Sequence, residues 1–254
     1  MNIILDEKIG IGIVLKKGSV VVVGAGPGLG SSLAKKFASK GHHVYVARRQ
    51  RNEAQLESLC EEIIKSGGIA TSIPTDARKE EEVKSLFVEV AKGGPIDCVI
   101  FNIGANVFFP IEETSERVFK KVWEMATLAG FLVGKEAVSY MKSKGTIIFT
   151  GATASLRGGA GFSAFASAKF GLRALAQSMA REYGPKGIHV AHTIIDGAID
   201  HPWIEENFPE IYKLKDKDGI LNPDEIAEVY FNLHLQKRSA WTHELDLRPY
   251  MEKY

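Results

Sequence analysis

The sequence predicts a doubly wound α/β fold: a parallel sheet with helices on both faces, in one Rossmann-like domain spanning residues 1–254. Three observations carry this reading. Short β-branched apolar runs alternate strictly with segments of helical period. The first such run ends in a glycine-rich turn that opens directly into a helix. The length of 254 residues suits one α/β domain, and no linker, internal repeat or low-complexity block divides it.

Residues 20–23 are all valine and read as a buried parallel strand. Residues 31–40 follow with Leu33, Ala34, Phe37 and Ala38 at helical spacing, stopped by Gly41. A second strand is expected at 44–47. A helix at 53–65 carries Leu56, Leu59, Cys60, Ile63 and Ile64 on one face and closes at Gly67-Gly68. The alternation continues with a strand at 70–74, a helix at 80–91 and a strand at 98–101. A long helical region at 117–141 precedes a strand at 146–150, a helix at 162–183 and a sixth strand at 188–195. Residues 197–222 break the pattern, with Trp203, Phe208, Tyr212, two prolines and many charges. An irregular insertion beyond a strand end is expected to form a substrate or lid loop. Residues 1–17 suggest a short extended element, because Ile9, Ile11 and Ile13 alternate with glycines.

Composition narrows the function. Hydrophobic residues make up 45% and charged residues 25%, which excludes a disordered tail, a fibrous repeat and a disulfide miniprotein. Lys plus Arg is 32 and Asp plus Glu is 31, so no global basic field exists to grip nucleic acid or an anionic membrane. Cys60 and Cys98 are too few for a four-cysteine zinc site and read as free thiols in a reducing compartment. His, Cys and carboxylates form no cluster at ligand spacing, so no metal is expected. Asp6, Glu7 and Lys8 interrupt the apolar start, which does not read as a signal segment, and residues 251–254 carry no sorting or prenylation motif. No run of 18 apolar residues suggests a membrane span, and a cytoplasmic location is expected.

The turn after residues 20–23 reads Gly24-Ala25-Gly26-Pro27-Gly28-Leu29-Gly30. Its fitting pattern is glycine, three residues, glycine, one residue, glycine, with Leu29 where G-x-G-x-x-G would place its last glycine. Such a turn brings backbone close to a pyrophosphate at a positive helix N-terminus. A bare tight strand-to-helix turn is the competing reading. The second strand ends in Arg48-Arg49, 24 and 25 residues after Gly24. An acidic residue here would suit the ribose 2′-hydroxyl of NAD(H), whereas arginine suits the 2′-phosphate of NADP(H). NADP(H) is therefore favoured over NAD(H). Plain solvation of both arginines is the alternative.

From about Ser19 to about Trp203 the chain resembles the short-chain dehydrogenase/reductase family. The glycine spacing matches, although Val23 replaces the usual threonine before it. Asp76 sits where the family's aspartate contacts adenine. Phe101-Asn102-Ile103-Gly104-Ala105 resembles the Asn-Asn-Ala-Gly segment, which would put Asn102 near the cofactor ribose. Residues 184–188, Gly-Pro-Lys-Gly-Ile, match a further segment, and Asp196-Gly197 replaces the usual Pro-Gly near the nicotinamide.

The resemblance implies a catalytic tyrosine, serine, lysine and asparagine. Here Phe165 occupies the tyrosine position, Ala152 the serine position and Thr127 the asparagine position, while Lys169 is kept. The chain resembles a divergent subgroup with phenylalanine for the tyrosine and no secure substrate. Phe165 and Lys169, four apart, share one helix face. Phenylalanine has no proton to give and alanine no hydrogen bond, so carbonyl reduction by the usual route is expected to be crippled.

Thr150, Thr153, Ser155, Asp196, His192 and His201 are candidate replacements; Asp196 could serve as a proton donor if burial raised its pKa, or simply cap a turn. Phe108, Phe109, Trp203 and Phe208 suggest an apolar or aromatic carbonyl, alcohol or enone substrate. Two functions follow: an NADP(H)-dependent oxidoreductase with a degenerate site, or a non-catalytic NADP(H)-binding sensor or subunit. The resemblance also implies a homodimer or tetramer built partly on the helix that carries Phe165 and Lys169.

Overall fold

The computed structural model describes residues 17–252; the extended element expected before the first strand falls almost wholly outside them. Strand β1 (Ser19–Val23) is buried along its whole length. Val20 and Val22 enter one core and Val21 and Val23 the other, as the two-residue side-chain period of a strand requires. A strand covered on both faces reads as a continuous apolar run, and that is why this one does. The remaining strands are β2 (His43–Ala47), β3 (Ile69–Ser72), β4 (Ile96–Phe101), β5 (Gly145–Thr150), β6 (Ile188–Ile195) and β7 (Glu244–Leu247). They pair in the order β3-β2-β1-β4-β5-β6-β7, every pair parallel.

Helices α1 (Leu29–Ser39), α2 (Glu53–Lys65) and α9 (Pro223–His234) cover one face with Leu33, Leu56 and Tyr230. Helices α3 (Glu80–Lys92), α5 (Ala129–Met141) and α6 (Ser163–Tyr183) cover the other with Leu86, Val133 and Leu172. The winding direction reverses between β1 and β4, which opens a crevice at the carboxyl ends of the strands.

The structure departs from the sequence expectations at three places. The helical region expected at 117–141 is not continuous: α4 (Glu116–Trp123) passes through a π-helical turn at Glu124–Leu128 before α5 begins. Residues 197–222 are not wholly irregular. They hold the short helices α7 (Pro202–Asn207) and α8 (Pro209–Tyr212) and a 3-10 turn at Lys213–Lys217. A parallel bridge between Ile199 and Leu221 ties the base of this excursion.

Finally, α9 and β7 were not anticipated. Helix α9 starts on an Asn222 side chain that accepts from Asp224 N at 2.8 Å, with Pro223 in its first turn. In β7, Leu245 and Leu247 pack on the core while Glu244 and Asp246 bind Arg173 and Arg248. Those acids conceal the strand in a hydropathy reading.

Candidate functional site

The crevice begins at the glycine turn. Gly24 has φ +96° and Gly28 φ +77°, which only glycine adopts without strain. A Cβ on Gly24 would come within 2.5 Å of Asn102 O, and one on Gly30 within 2.4 Å of Gly24 O. Asn102 fastens the turn to β4: its side-chain Nδ2 donates to Gly24 O at 3.2 Å and its backbone N–H to Val23 O at 2.8 Å. The first N–H groups of α1 stand at the end of this turn, the positive end of the helix.

Beside the turn lies a cavity of about 200 Å³ whose walls include Gly24, Arg48, Arg49, Asp76, Arg78 and Asn102. Five of these six are residues singled out from sequence. Arg78 was not, although it stands two residues beyond Asp76 in the turn before α3. It grips Asp76 with both arms, Nε to Oδ1 at 2.9 Å and the second guanidinium nitrogen to Oδ2 at 2.5 Å. These bonds hold the Asp76 carboxyl below its usual range and raise Arg78. Arg48 lies over Gly26 and donates to Gln55. Burial, then the charges of Arg49 and Arg51, lower its pKa. Burial also lowers Arg49, followed by Arg51 and Arg78, with Asp76 opposing. Neither Arg48 nor Arg49 has a carboxylate salt-bridge partner among the described residues.

Gly28, Leu29, Gly30 and Lys169 do not line this cavity. Gly30 is packed under Gly24 and Ala25, and Leu29 turns its side chain into the core, so each could meet a ligand only through backbone. The ring of His201, from the excursion, rests on Gly28. A wider groove of about 580 Å³ between α1, α2 and α9 is lined by Lys35, Lys36 and Glu228 and is remote from the strand ends.

At the other end of the crevice Lys169 is 2% exposed. Its Nζ donates to Thr150 O at 2.9 Å and to Ile103 O at 3.2 Å, and burial pushes its pKa down to about 8. Phe165, one helical turn earlier, shares an apolar cluster with Ala152, Ala154 and Ala126. Thr127 sits in the π turn and donates its hydroxyl to Ala168 O at 2.7 Å, a bond that uses its only proton. Around the cleft, Phe108 stands edge-on to Phe162 at 5.2 Å and Trp203 edge-on to Phe208 at 5.3 Å.

The other polar candidates are tied elsewhere. Thr150 Oγ1 bonds Tyr230 at 2.9 Å in the α9 layer, and Ser155 Oγ accepts from Ala152 N at 3.1 Å. His192 is fully buried and pairs with Glu244 at 3.0 Å; burial pushes it down to about 4, with Glu244 opposing. His201 Nδ1 accepts from Trp203 N at 2.9 Å and so caps α7.

Asp196, offered by the sequence as a proton donor or a turn cap, is held in a network of donors. It is 1% exposed, takes the Thr153 hydroxyl on Oδ1, and pairs with Arg157 at 3.5 Å and Arg248 at 3.2 Å.

Comparison with known proteins fits this architecture. Residues 18–209 match the family model described as short chain dehydrogenase, and the chain belongs to that family of oxidoreductases. It is similar to a short-chain dehydrogenase from Rhodopseudomonas palustris, with 48% identity, a TM-score of 0.79, and coverage of 92% of this chain and 99% of that one. The hydroxynaphthalene reductase-like protein Arp2 of Metarhizium robertsii is 30% identical over 74% of this chain and 70% of its own length. The uncharacterized oxidoreductase YuxG of Bacillus subtilis is 32% identical over 89% of this chain, which spans 32% of that protein.

Proposed function

We propose that the protein is a single-domain NADP(H)-dependent oxidoreductase whose active site lacks the family's tyrosine and serine. The observation that carries the cofactor is the convergence of Arg48, Arg49 and Arg78 on the cavity that also holds Asp76 and Asn102. Arg48 and Arg49, which have no carboxylate salt bridge among the described residues, suit a phosphate dianion. The close approach of backbone at Gly24 and Gly28 suits a pyrophosphate at the start of α1. The residues present therefore fit the nucleotide. Gly28, Leu29 and Gly30 would meet its pyrophosphate through backbone, Arg48 and Arg49 its 2′-phosphate, Asp76 and Asn102 its adenosine and ribose sides, and Lys169 its nicotinamide ribose. The bound nicotinamide supplies or accepts hydride.

Within the site, Phe165 and Ala152 shape an apolar wall and exclude water, and Lys169 holds positive charge at the ends of β4 and β5. The excursion at 197–222 acts as a lid whose Trp203 and Phe208 favour an apolar or aromatic substrate, in keeping with the name of the Metarhizium relative. Exposed Phe119, Trp123, Phe131 and Phe170 on α4, α5 and α6 support self-association as a dimer or tetramer. A cytoplasmic location is part of this reading.

A second reading, a non-catalytic NADP(H) sensor or subunit, is favoured by one observation. Phe165 and Ala152 put no proton donor at the two positions where the family keeps one. Calorimetric titration with NADPH and NADH, followed by NADPH oxidation against a carbonyl and enone panel, separates the cases. The oxidoreductase reading expects NADPH to bind at least about tenfold more tightly than NADH, with turnover of some panel member. Tight NADPH binding without turnover selects the sensor. Equal binding of both nucleotides removes the assignment to NADP(H).

A further inference from the structure

The groove of about 580 Å³ between α1, α2 and α9 shares no lining residue with the cavity beside the glycine turn. Its deepest lining residues are apolar: Ala38, Ile63 and Ala227 are all buried. Gly68 keeps this floor closed, since a Cβ there would come within 2.8 Å of Ile63 Cγ2 and 3.1 Å of Ala38 Cβ. The polar groups of the walls have mostly spent their donors. Lys35 pairs with Glu62 at 2.6 Å and Lys36 pairs with Glu228. Ser39 and Ser66 give their hydroxyl protons to Lys36 O and Glu62 O. Asp224 and Glu225 have no ion-pair partner among the described residues. With Glu62 counted, two ammonium groups face four carboxylates, and the groove is net negative. Asp224 and Glu225 open α9, whose positive end favours carboxylates. That accounts for the two acids but not for Ser32. Ser32 stands in the wall, only 8% exposed, and its hydroxyl has no hydrogen-bond partner among the described residues. A hydroxyl so closely buried is ordinarily paired.

We infer that this groove binds an aliphatic polyamine, a chain of methylenes carrying two or more ammonium groups. An ammonium only donates hydrogen bonds, and the groove offers acceptors: the carboxylates of Asp224 and Glu225 and the free lone pairs of Ser32 and Ser39. The methylenes lie over Ala38, Ile63 and Ala227, where burial of apolar surface adds to the charge attraction. An anion meets the wrong sign of charge. A neutral chain leaves the two carboxylates unanswered. A quaternary ammonium has no N–H to give, and no aromatic ring lines the groove to hold it. The site is independent of the nucleotide, so it stands whether or not the oxidoreductase reading does.

The test is calorimetric titration of spermidine into the full chain at low salt, with 1,8-octanediol as an uncharged chain of similar length. Spermidine is expected to saturate one site per chain, and the diol to give no binding. Asp224→Asn with Glu225→Gln should weaken spermidine by about fivefold or more, the worth of two exposed charge pairs. Ser32→Ala should weaken it by about threefold or more, the worth of one hydrogen bond. Glu205→Gln with Glu206→Gln removes an exposed acidic pair on α7, outside the groove, and should leave the affinity unchanged. Thermal midpoints confirm that each variant is folded; the four acids are exposed and the serine change is small. Absence of saturable spermidine binding overturns the inference. So does an equal loss in the α7 variant, which would mean diffuse attraction to an acidic surface. Binding untouched by Ser32→Ala, or diol binding as tight as that of spermidine, overturns it as well.

Discussion

The Lys169 ammonium lies 5.9 Å from the centroid of the Phe165 ring. At that distance the negative face of the ring attracts the cation, and it does so without any proton to exchange. The two residues stand four apart on α6, and the phenyl ring meets the ammonium through its π system alone.

A buried ammonium with only two carbonyl acceptors and a ring is expensive to keep charged. Burial lowers Lys169 to about 8 from the ordinary lysine value of 10.5. Between those two values the unfolded chain binds one more proton than the folded one, so stability should rise with pH across that window, by roughly 3 kcal/mol at most. Urea denaturation from pH 7.5 to 10.5 reads the slope, and Lys169→Met should flatten it. A falling midpoint in the wild type over that range would count against the buried charge.

Phe165 and Ala152 carry no hydroxyl, and placing one at each is the direct test of the proposed degenerate site. Phe165→Tyr with Ala152→Ser should raise NADPH-dependent carbonyl reduction by about 10²-fold or more, since general acid help alone is worth about 10²–10⁴. Either change alone should gain much less, because the two groups act on one oxygen. If the double variant binds nucleotide and stays inert, the missing hydroxyls do not account for the altered chemistry.

Arg48 and Arg49 should separate the two dinucleotides. Arg48→Ala with Arg49→Ala is expected to weaken NADPH by about 30-fold or more and to change NADH by less than about threefold, as loss of charge-assisted bonds to a dianion requires. Parallel losses for both nucleotides would mean that the arginines serve the fold rather than the phosphate.

Two histidines set the acid limit. Burial pushes His192 and His234 each down to about 4, from 6.5 when exposed. Below pH 6.5 the unfolded chain takes up protons that the folded chain refuses until about pH 4, so stability should fall as pH drops through this window, by roughly 2–3 kcal/mol for each. The double variant His192→Gln, His234→Gln should lose most of that slope. Denaturation midpoints at pH 7, 5.5 and 4.5 measure it. An unchanged slope would assign the acid sensitivity to carboxylates instead.

Much of the fold was legible because its strands are covered on both faces. The valine run at 20–23 could be read directly because nothing polar interrupts it, and the run at 188–195 despite His189, His192 and Thr193, because its other five positions are apolar. The cavity beside the glycine turn was legible for a different reason: Gly24, Asp76 and Asn102 follow strand ends in sequence, so local spacing brings them together. Arg78 was missed because its role depends on the bidentate pair with Asp76, which spacing alone does not reveal. Strand β7 was hidden by Glu244 and Asp246. Those acids are tolerated because Arg173 reaches Glu244 from α6 and Arg248, two residues further on, pairs with Asp246. The fate of Asp196 was equally out of reach: its partners Arg157 and Arg248 lie far from it in sequence. Thr127, at the position of the family's asparagine, donates its hydroxyl to the backbone of α6 at the π turn, a change of winding that apolar periodicity does not report.

Burial and neighbouring arginine charges lower Arg48 and Arg49, which line a small cavity with Arg78 and its partner Asp76. An empty molecule therefore carries self-repulsion that a dianion relieves. Its thermal midpoint becomes a gauge of occupancy, climbing with phosphate or sulfate more than with chloride at equal ionic strength. In a cell, the survival time of the chain would then follow the supply of its nucleotide.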